Sequence, residues 1–305
     1  MALAAAAERG AVRPLESLED LIAAPADLLV VAAPPTITVD VLAALETDAL
    51  VLDVCSVKVG PVAAASHLAR FVGTHPMAGR EVSGPEAASP VLFRGATWVV
   101  ATDGASPADL LTVEEIVGLL GARPVRMSAA EHDAAVSLVS HLPQVVAAAL
   151  VLEAGGDERA LGVAAGSFRD LTRVAASDPA MWTAVLEENR GEVLAAIGRL
   201  QARLDSLARD LADGEGRVEA DLAAARRVRE SLGAAAEPVR VALADRPGEL
   251  ARVGHALEAS GVDVRDIQLR HAPYGGGGVL TVAVHTSDVA NLRAALIAEG
   301  LLLID

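Results

Sequence analysis

The sequence predicts an α/β chain in three parts: a mainly parallel sheet domain over residues 1–126, an all-helical domain over 127–230 and a ferredoxin-like α+β domain over 238–305. Three observations carry this. Apolar runs that do not alternate, joined through helical patterns, fill the first third, as in a parallel sheet covered on both faces. From about Ser128 to Arg229 the strand signal disappears. Beyond Pro238 strand and helix return in the order β-α-β-β-α-β.

In the first part, Asp27 to Ala33 reads as a buried strand stopped by Pro34-Pro35, and Val39 to Leu45 as a helix. Ala49 to Asp53, Phe71-Val72 and Thr97 to Ala101 are further strands. In the second part a helix starts near His141, with Pro143 in its first turn, and Ser177-Asp178-Pro179 opens another with a capping side chain ahead of proline. The helix after Pro179 carries Leu186, Val193, Leu194, Ile197, Leu200, Leu204 and Leu207 at helical spacing, a stripe suited to an internal core or to a dimer interface. Gly214 to Gly216 and Ala234 to Pro238 bracket a linker. The third part reads as strand Val239–Leu243, helix Gly248–Ser260, strands Val262–Leu269 and Gly278–His285, helix Val289–Glu299 and strand Leu301–Ile304.

Hydrophobic residues make up 52% of the 305, aromatics only 2%, so the core is aliphatic. A formal charge of −16 argues against nucleic acid and anionic membrane surfaces as partners, and leaves any anionic substrate to a few local cations. The one cysteine, Cys55, excludes an internal disulfide and a thiolate metal cage, so no metal site is expected and a cytoplasmic setting fits. Neither a signal peptide nor a membrane span uninterrupted by charge or proline is apparent.

Three motifs carry chemistry. Gly73-Thr-His-Pro-Met-Ala-Gly-Arg-Glu81 sets one imidazole, His75, in a Pro/Gly frame after an apolar strand; Gly73 and Gly79 would let the backbone turn on either side, and an ordinary turn is the alternative. Asp53-Val-Cys-Ser-Val-Lys58 lies at a strand's carboxyl end, where α/β sheets bind ligands, so Ser56 can meet substrate or cofactor there. Locally, Asp53 and Ser56 read better as caps of the next helix. Lys58 is the chain's single lysine. Gly166-Ser-Phe-Arg-Asp-Leu-Thr-Arg173 sets Arg169 and Arg173 four apart, as a carboxylate clamp or as a solvated face. His141 and Gln144 are a candidate polar lining, or structural residues.

Taken in order, Asp53–Lys58, Thr74–Glu81, Ser140-His-Leu-Pro143, Phe168–Arg173 and Pro179-Ala-Met-Trp182 resemble the prephenate and arogenate dehydrogenases of tyrosine biosynthesis, and Asp245–Val253 followed by Gly261-Val-Asp-Val resembles the opening of an ACT domain. The resemblance implies a Rossmann-type first domain, a homodimer, NAD as cofactor with NADP possible, and prephenate or arogenate as substrate. It implies that His75 accepts the ring-hydroxyl proton, that Ser56 orients His75, the substrate or the nicotinamide, and that Arg169, with His141, Gln144 and Arg173, binds the substrate. Ala33, Pro34 and Ser56, at strand ends, are the implied cofactor contacts, and an amino acid such as tyrosine is the implied ACT effector.

Two departures stand out. Gln144 replaces a second histidine of many relatives and cannot carry positive charge. No Gly-x-Gly-x-x-Gly precedes Asp27, and the resemblance aligns Ala2 to Val12 with a helix that follows the second strand. The expectation is therefore a dehydrogenase whose start lies downstream of its first β-α-β unit and whose NAD binding is weak. A lineage that has lost its cofactor domain and senses an amino acid is the alternative.

Overall fold

Five short strands line up in sequence order in the first half of the computed structural model, which describes residues 17, 26–79, 88–89, 91–214, 217–232, 236–271 and 277–304. The helix expected over Ala2 to Val12, the Arg80-Glu81 end of the histidine motif and Gly275-Gly276 lie outside the described residues. The strands are β1 (Leu28–Val31), β2 (Leu50–Asp53), β3 (Phe71–Pro76), β4 (Thr97–Ala101) and β5 (Arg123–Met127). β1–β2, β2–β3 and β4–β5 pair in parallel, whereas β3–β4 is antiparallel. An antiparallel neighbour needs no crossover helix, and none occurs among the described residues between β3 and β4.

Helices cover both faces. Leu42 of α1 (Pro35–Ala44) and Leu45 just beyond it pack with Leu29, Val51 and Phe71, joined by Val62 of α2 (Val59–Ala64). On the other face Leu110, Val113 and Val117 of α3 (Pro107–Leu119) pack with Leu50, Leu52, Val72, Trp98 and Val100. Successive residues of β2 thus enter opposite cores, which is why its run is unbroken in apolarity. β5, Arg-Pro-Val-Arg-Met, is an edge strand that the sequence reading missed. Its two arginines and proline suit an edge and hide the apolar signal.

β3 is longer than expected and contains the histidine: His75 pairs with Val99 inside the strand, and the chain turns only after Pro76. Neither Gly73 nor Gly79 has a positive φ. Gly73 is instead a close approach, since a Cβ there would lie 3.1 Å from Val62 Cγ2 and 3.4 Å from Lys58 Cδ.

From Ser128 onward the expected helices appear, with three corrections. First, Pro143 does not interrupt the apolar helix. α4 (Ala129–Val136), a π-helical turn (Ser137–His141) and α5 (Leu142–Gly155) run on as one helix, capped at Ser128 by a reciprocal pair of bonds with Glu131. The wider turn lies just where proline lacks an N–H and crowds the preceding carbonyl. This 27-residue helix is long and apolar enough to cross a membrane by length and composition. It also carries buried His132, Asp133, Ser137, His141 and Gln144. Second, the long stripe helix is broken at Asn189 into two helices, Pro179–Glu188 and Arg190–Asp213. Third, the segment expected as a linker holds a helix of its own, α10. The helices in order are α6 (Glu158–Gly162), α7 (Gly166–Thr172), α8 (Pro179–Glu188), α9 (Arg190–Asp213) and α10 (Arg217–Leu232), with a 3-10 turn, Arg173–Ala176, after α7. Asp178 caps α8 as expected, accepting from Met181 N–H at 2.8 Å. In the stripe, Val193 is buried while Leu194 and Leu204 stay 61% and 55% exposed.

The chain divides into two units, Met1–Arg203 and Leu204–Asp305. In the second, β6 (Ala236–Leu243), α11 (Glu249–Ser260), β7 (Val264–His271), β8 (Gly278–His285), α12 (Val289–Ala298) and β9 (Leu302–Ile304) follow the expected β-α-β-β-α-β order. The sheet runs β7-β8-β6-β9, antiparallel throughout. Val253, Ala256, Leu292 and Leu296 of the helices pack on Val239, Val241, Leu280, Val282 and Val284. Buried residues alternate along β8, as a sheet covered on one face requires. Gly261 ends α11 at φ 62°, a left-handed cap that favours glycine.

The close approach at Gly73 gives a test. Gly73→Ala should lower stability by about 1–3 kcal/mol through overpacking, read as a lower urea midpoint with unchanged slope; an unchanged midpoint would refute the steric account.

Candidate active site

The polar side chains converge where β2 and β3 end and α4 begins. Asp53, the last residue of β2, is fully buried and saturated: Oδ2 accepts Cys55 N–H at 2.9 Å and the Lys58 ammonium, and Oδ1 accepts Thr74 N–H at 3.1 Å. Burial pushes its carboxyl up from the ordinary value, with Lys58 opposing. Thr74 Oγ1 donates to Asp53 O at 2.5 Å, so side chains of both strands tie β2 to β3. Burial also pushes the Cys55 thiol up, which leaves it an inert small hydrophobe.

The expectation that Asp53 and Ser56 cap the next helix does not hold. α2 begins after Lys58, and its cap is Asp133, reaching across from α4: Oδ1 accepts Lys58 N–H at 2.8 Å and Oδ2 accepts Val59 N–H at 2.9 Å. Asp53 is instead consumed by Lys58 and two backbone donors, which shapes residues 54–58 and leaves Ser56 half-buried at the sheet's carboxyl edge.

His75, half-buried at the end of β3, has its Nδ1 2.8 Å from His132 Nε2, the rings meeting edge-on at 71°. His132 Nδ1 in turn lies 2.7 Å from Asp133 Oδ1. Of the three roles open to Ser56, orienting His75 through Nδ1 is therefore taken by His132. Among the described residues His75 Nε2 has no hydrogen-bond partner. Burial first, then His132, Lys58 and His141, depress the His75 pKa from 6.5 to about 3.

His141 sits in the π turn, 1% exposed, its Nδ1 3.2 Å from Asn189 Nδ2 and its ring edge-on to Trp182. Asn189 also donates to Asp133 O at 2.8 Å, which ties the α8–α9 break to α4. Burial lowers the His141 pKa to about 4, Asp133 opposing. Gln144, one turn further on, is buried with Oε1 unpartnered. The structure thus brings His75 and His141 around one His132–Asp133 pair, with Gln144 on the same helix as His141.

Arg169 and Arg173 lie on α7 and on the 3-10 turn after it, and among the described residues no hydrogen bond or ion pair joins Arg169 to this cluster. Both are exposed, and α7 ends between them, so they do not share one continuous helical face. α7 and the 3-10 turn do pack against α5, the helix that carries Gln144. Ala33 and Pro34 lie between β1 and α1, at the carboxyl edge of the sheet. No side chain caps α1, and Ala33 O accepts Thr38 Oγ1 at 2.9 Å. Uncapped helix N–H groups beyond a strand's carboxyl end fit a dinucleotide. No group of three or more His, Cys, Asp or Glu side chains among the described residues is set to hold a metal ion.

Sequence reasoning missed His132, Asp133 and Asn189. The signal available was Glu131-His132-Asp133 directly behind a serine cap, two chemistry-bearing residues at a helix start.

The depressed histidines set a pH dependence. Folded His75 and His141 take protons at about 3 and about 4, below the unfolded 6.5, so the unfolded chain binds them first. Their contribution is intact above pH 6.5 and is lost as pH falls toward 4 and 3. Urea unfolding at pH 7 and pH 5 should show a smaller acid loss in His75→Asn than in the parent; an identical loss would remove His75 from that account.

Comparison with known proteins gives the architecture a lineage. Residues 2–126 match the prephenate dehydrogenase nucleotide-binding domain and residues 128–223 the prephenate dehydrogenase dimerization domain. A Streptomyces niveus protein named probable prephenate dehydrogenase NovF is 33% identical over 296 residues, covering 87% of this chain and 81% of the relative. The Bacillus subtilis prephenate dehydrogenase is 32% identical, covering 80% and 70%. The crystal structure of prephenate dehydrogenase from Aquifex aeolicus, in complex with hydroxyphenyl propionate and NAD+, superposes with a TM-score of 0.68 at 27% identity, covering 75% of this chain and 85% of that one. With both family domains matched in order and a relative 33% identical over most of both chains, the chain belongs to the prephenate dehydrogenase family.

Proposed function

We propose that this chain oxidises prephenate to 4-hydroxyphenylpyruvate with loss of CO2. The observation that carries the reading is His75, held at one ring nitrogen and open at the other, at the carboxyl edge of the sheet. Bound NAD, with NADP possible, supplies the hydride acceptor for C4 of the ring carbinol. His75 Nε2 takes the hydroxyl proton as the C4–H bond breaks. The C1–carboxylate bond then breaks, its electron pair flows into the ring, CO2 leaves, and the proton held on His75 returns to the phenolic oxygen. Ala33, Pro34 and Ser56 line the nicotinamide side, and Arg169 holds a substrate carboxylate through its planar fork.

Arogenate is the second reading, favoured by Gln144. A buried carbonyl oxygen without a donor gains from an ammonium group, which arogenate has and prephenate lacks. The C-terminal unit has the ferredoxin-like strand order of an ACT domain, and we assign it an amino-acid effector such as tyrosine. The chain carries the family's dimerization domain, and the exposed Leu194 of α9 supports that helix as part of a homodimer contact.

Steady-state rates with each substrate and each nicotinamide test this directly. His75→Asn should lower kcat by about 100-fold or more with little change in KM, the scale of a lost general base. Arg169→Ala should mainly raise KM. Equal, small effects from both would sink the assignment, and a higher kcat/KM for arogenate would select the second reading.

A further inference from the structure

We propose that His132 and Asp133 are positioning residues that fix His75 in the tautomer with its hydrogen on Nδ1, leaving Nε2 as a lone pair facing the substrate. The proposal deepens the reading of His75 as proton acceptor and rests on it, but its structural half stands without any substrate.

Four hydrogen bonds fix the tautomer. Asp133 already accepts a backbone N–H on each oxygen, from Lys58 at 2.8 Å and Val59 at 2.9 Å, so its third partner, His132 Nδ1 at 2.7 Å, must be a donor. A neutral imidazole with its hydrogen on Nδ1 offers a lone pair on Nε2. That lone pair faces His75 Nδ1 at 2.8 Å, which must then donate. One hydrogen remains on the neutral His75 ring and it is spent, so Nε2 is bare. The other ordering would set two N–H groups against each other or leave a lone pair facing a carboxylate, and both are repulsive at these distances.

Burial makes the chain stiff. His132 is fully buried and Asp133 3% exposed, so no water competes for either bond, whereas His75 is half-buried. The groups packed around His75 from other elements are Lys58 from the β2–α2 loop and His141 from the π turn; Lys58 is spent on Asp53 and His141 on Asn189. Neither supplies an alternative acceptor for Nδ1. The arrangement also serves the reaction. When Nε2 takes the substrate proton, the positive charge on His75 is met through His132 by the Asp133 carboxylate, the logic of a catalytic triad with a second imidazole inserted.

The test uses the full chain and two variants. Gln at 132 can accept from His75 Nδ1 and donate to Asp133, whereas Phe fills the space and does neither. In 15N-histidine spectra of the ligand-free protein, His75 should show a protonated Nδ1 and an unprotonated Nε2, and His132→Phe should convert this to a tautomer mixture. His132→Phe should lower kcat about 100-fold with KM changed less than threefold, and His132→Gln should recover most of it. A protonated Nε2 in the parent, or His132→Phe turning over as well as His132→Gln, overturns the proposal. If His132→Phe fails to fold, Asp133→Asn replaces it: its amide can donate to His132 Nδ1 and reverse both rings, so His75 should then show a protonated Nε2, and an unchanged protonated Nδ1 overturns the proposal. The spectra then decide. Absent turnover of either substrate by the parent would count against the proposed function alone, since the tautomer is read without substrate.

Discussion

The carboxylate of Asp133 joins the two halves of the site. Its backbone belongs to the first turns of a long apolar helix, yet its oxygens cap another helix, α2, by accepting Lys58 and Val59 N–H groups 75 and 74 residues away in sequence. The same oxygens orient His132, and the backbone carbonyl of Asp133 accepts from Asn189. One residue thus ties α2 and the α8–α9 break to α4 and is linked through His132 to the His75 ring. A carboxylate bound by several donors in a dry setting is costly to remove, because each donor is then left without a partner.

Beneath it, the Asp53–Lys58 pair has a different task. A buried ion pair repays its desolvation only when its remaining donors and acceptors are filled, and net stability is not what it best provides. Asp53 is filled by Cys55 and Thr74 N–H groups, and the outcome is a fixed shape for residues 54–58. That shape carries Ser56 at the sheet edge and presents the two N–H groups that Asp133 accepts. Gly73 completes it by letting Lys58 and Val62 lie against the strand beside His75.

How much of this was legible depended on whether the information was local. The ferredoxin-like unit could be read almost element by element, because one face of its sheet is buried and its residues alternate, as in Leu280, Val282 and Val284. His75 stood out through its own neighbours, although its place inside β3 rather than after it depends on pairing with Val99, a long-range fact. His132 and Asp133 show in the sequence only as polar residues behind a serine cap, because nothing within α4 distinguishes a solvated His-Asp from one buried against a loop 75 residues earlier. Pro143 misled in the opposite sense. It is an interruption in a regular helix, and a π turn before it removes the interruption. β5 was hidden by its arginines, since an edge strand is selected for what an apolar scan ignores.

The electrostatics of the free site bear on why it is built this way. A chain of charge −16 holding His75 at a pKa of about 3 has an imidazole that stays neutral near pH 7 and, in the proposed role of base, is a weak proton acceptor. A dicarboxylate ligand changes that balance. Negative charge brought beside His75 favours its charged form, so on the proposed reading the ring gains basicity when a carboxylate arrives, against the opposing effect of His132. Lys58 and His141 act in the opposite sense, both lowering the His75 pKa. Binding energy from the substrate's carboxylates is then used where the proton moves rather than in the ground state alone, the condition under which binding accelerates a reaction.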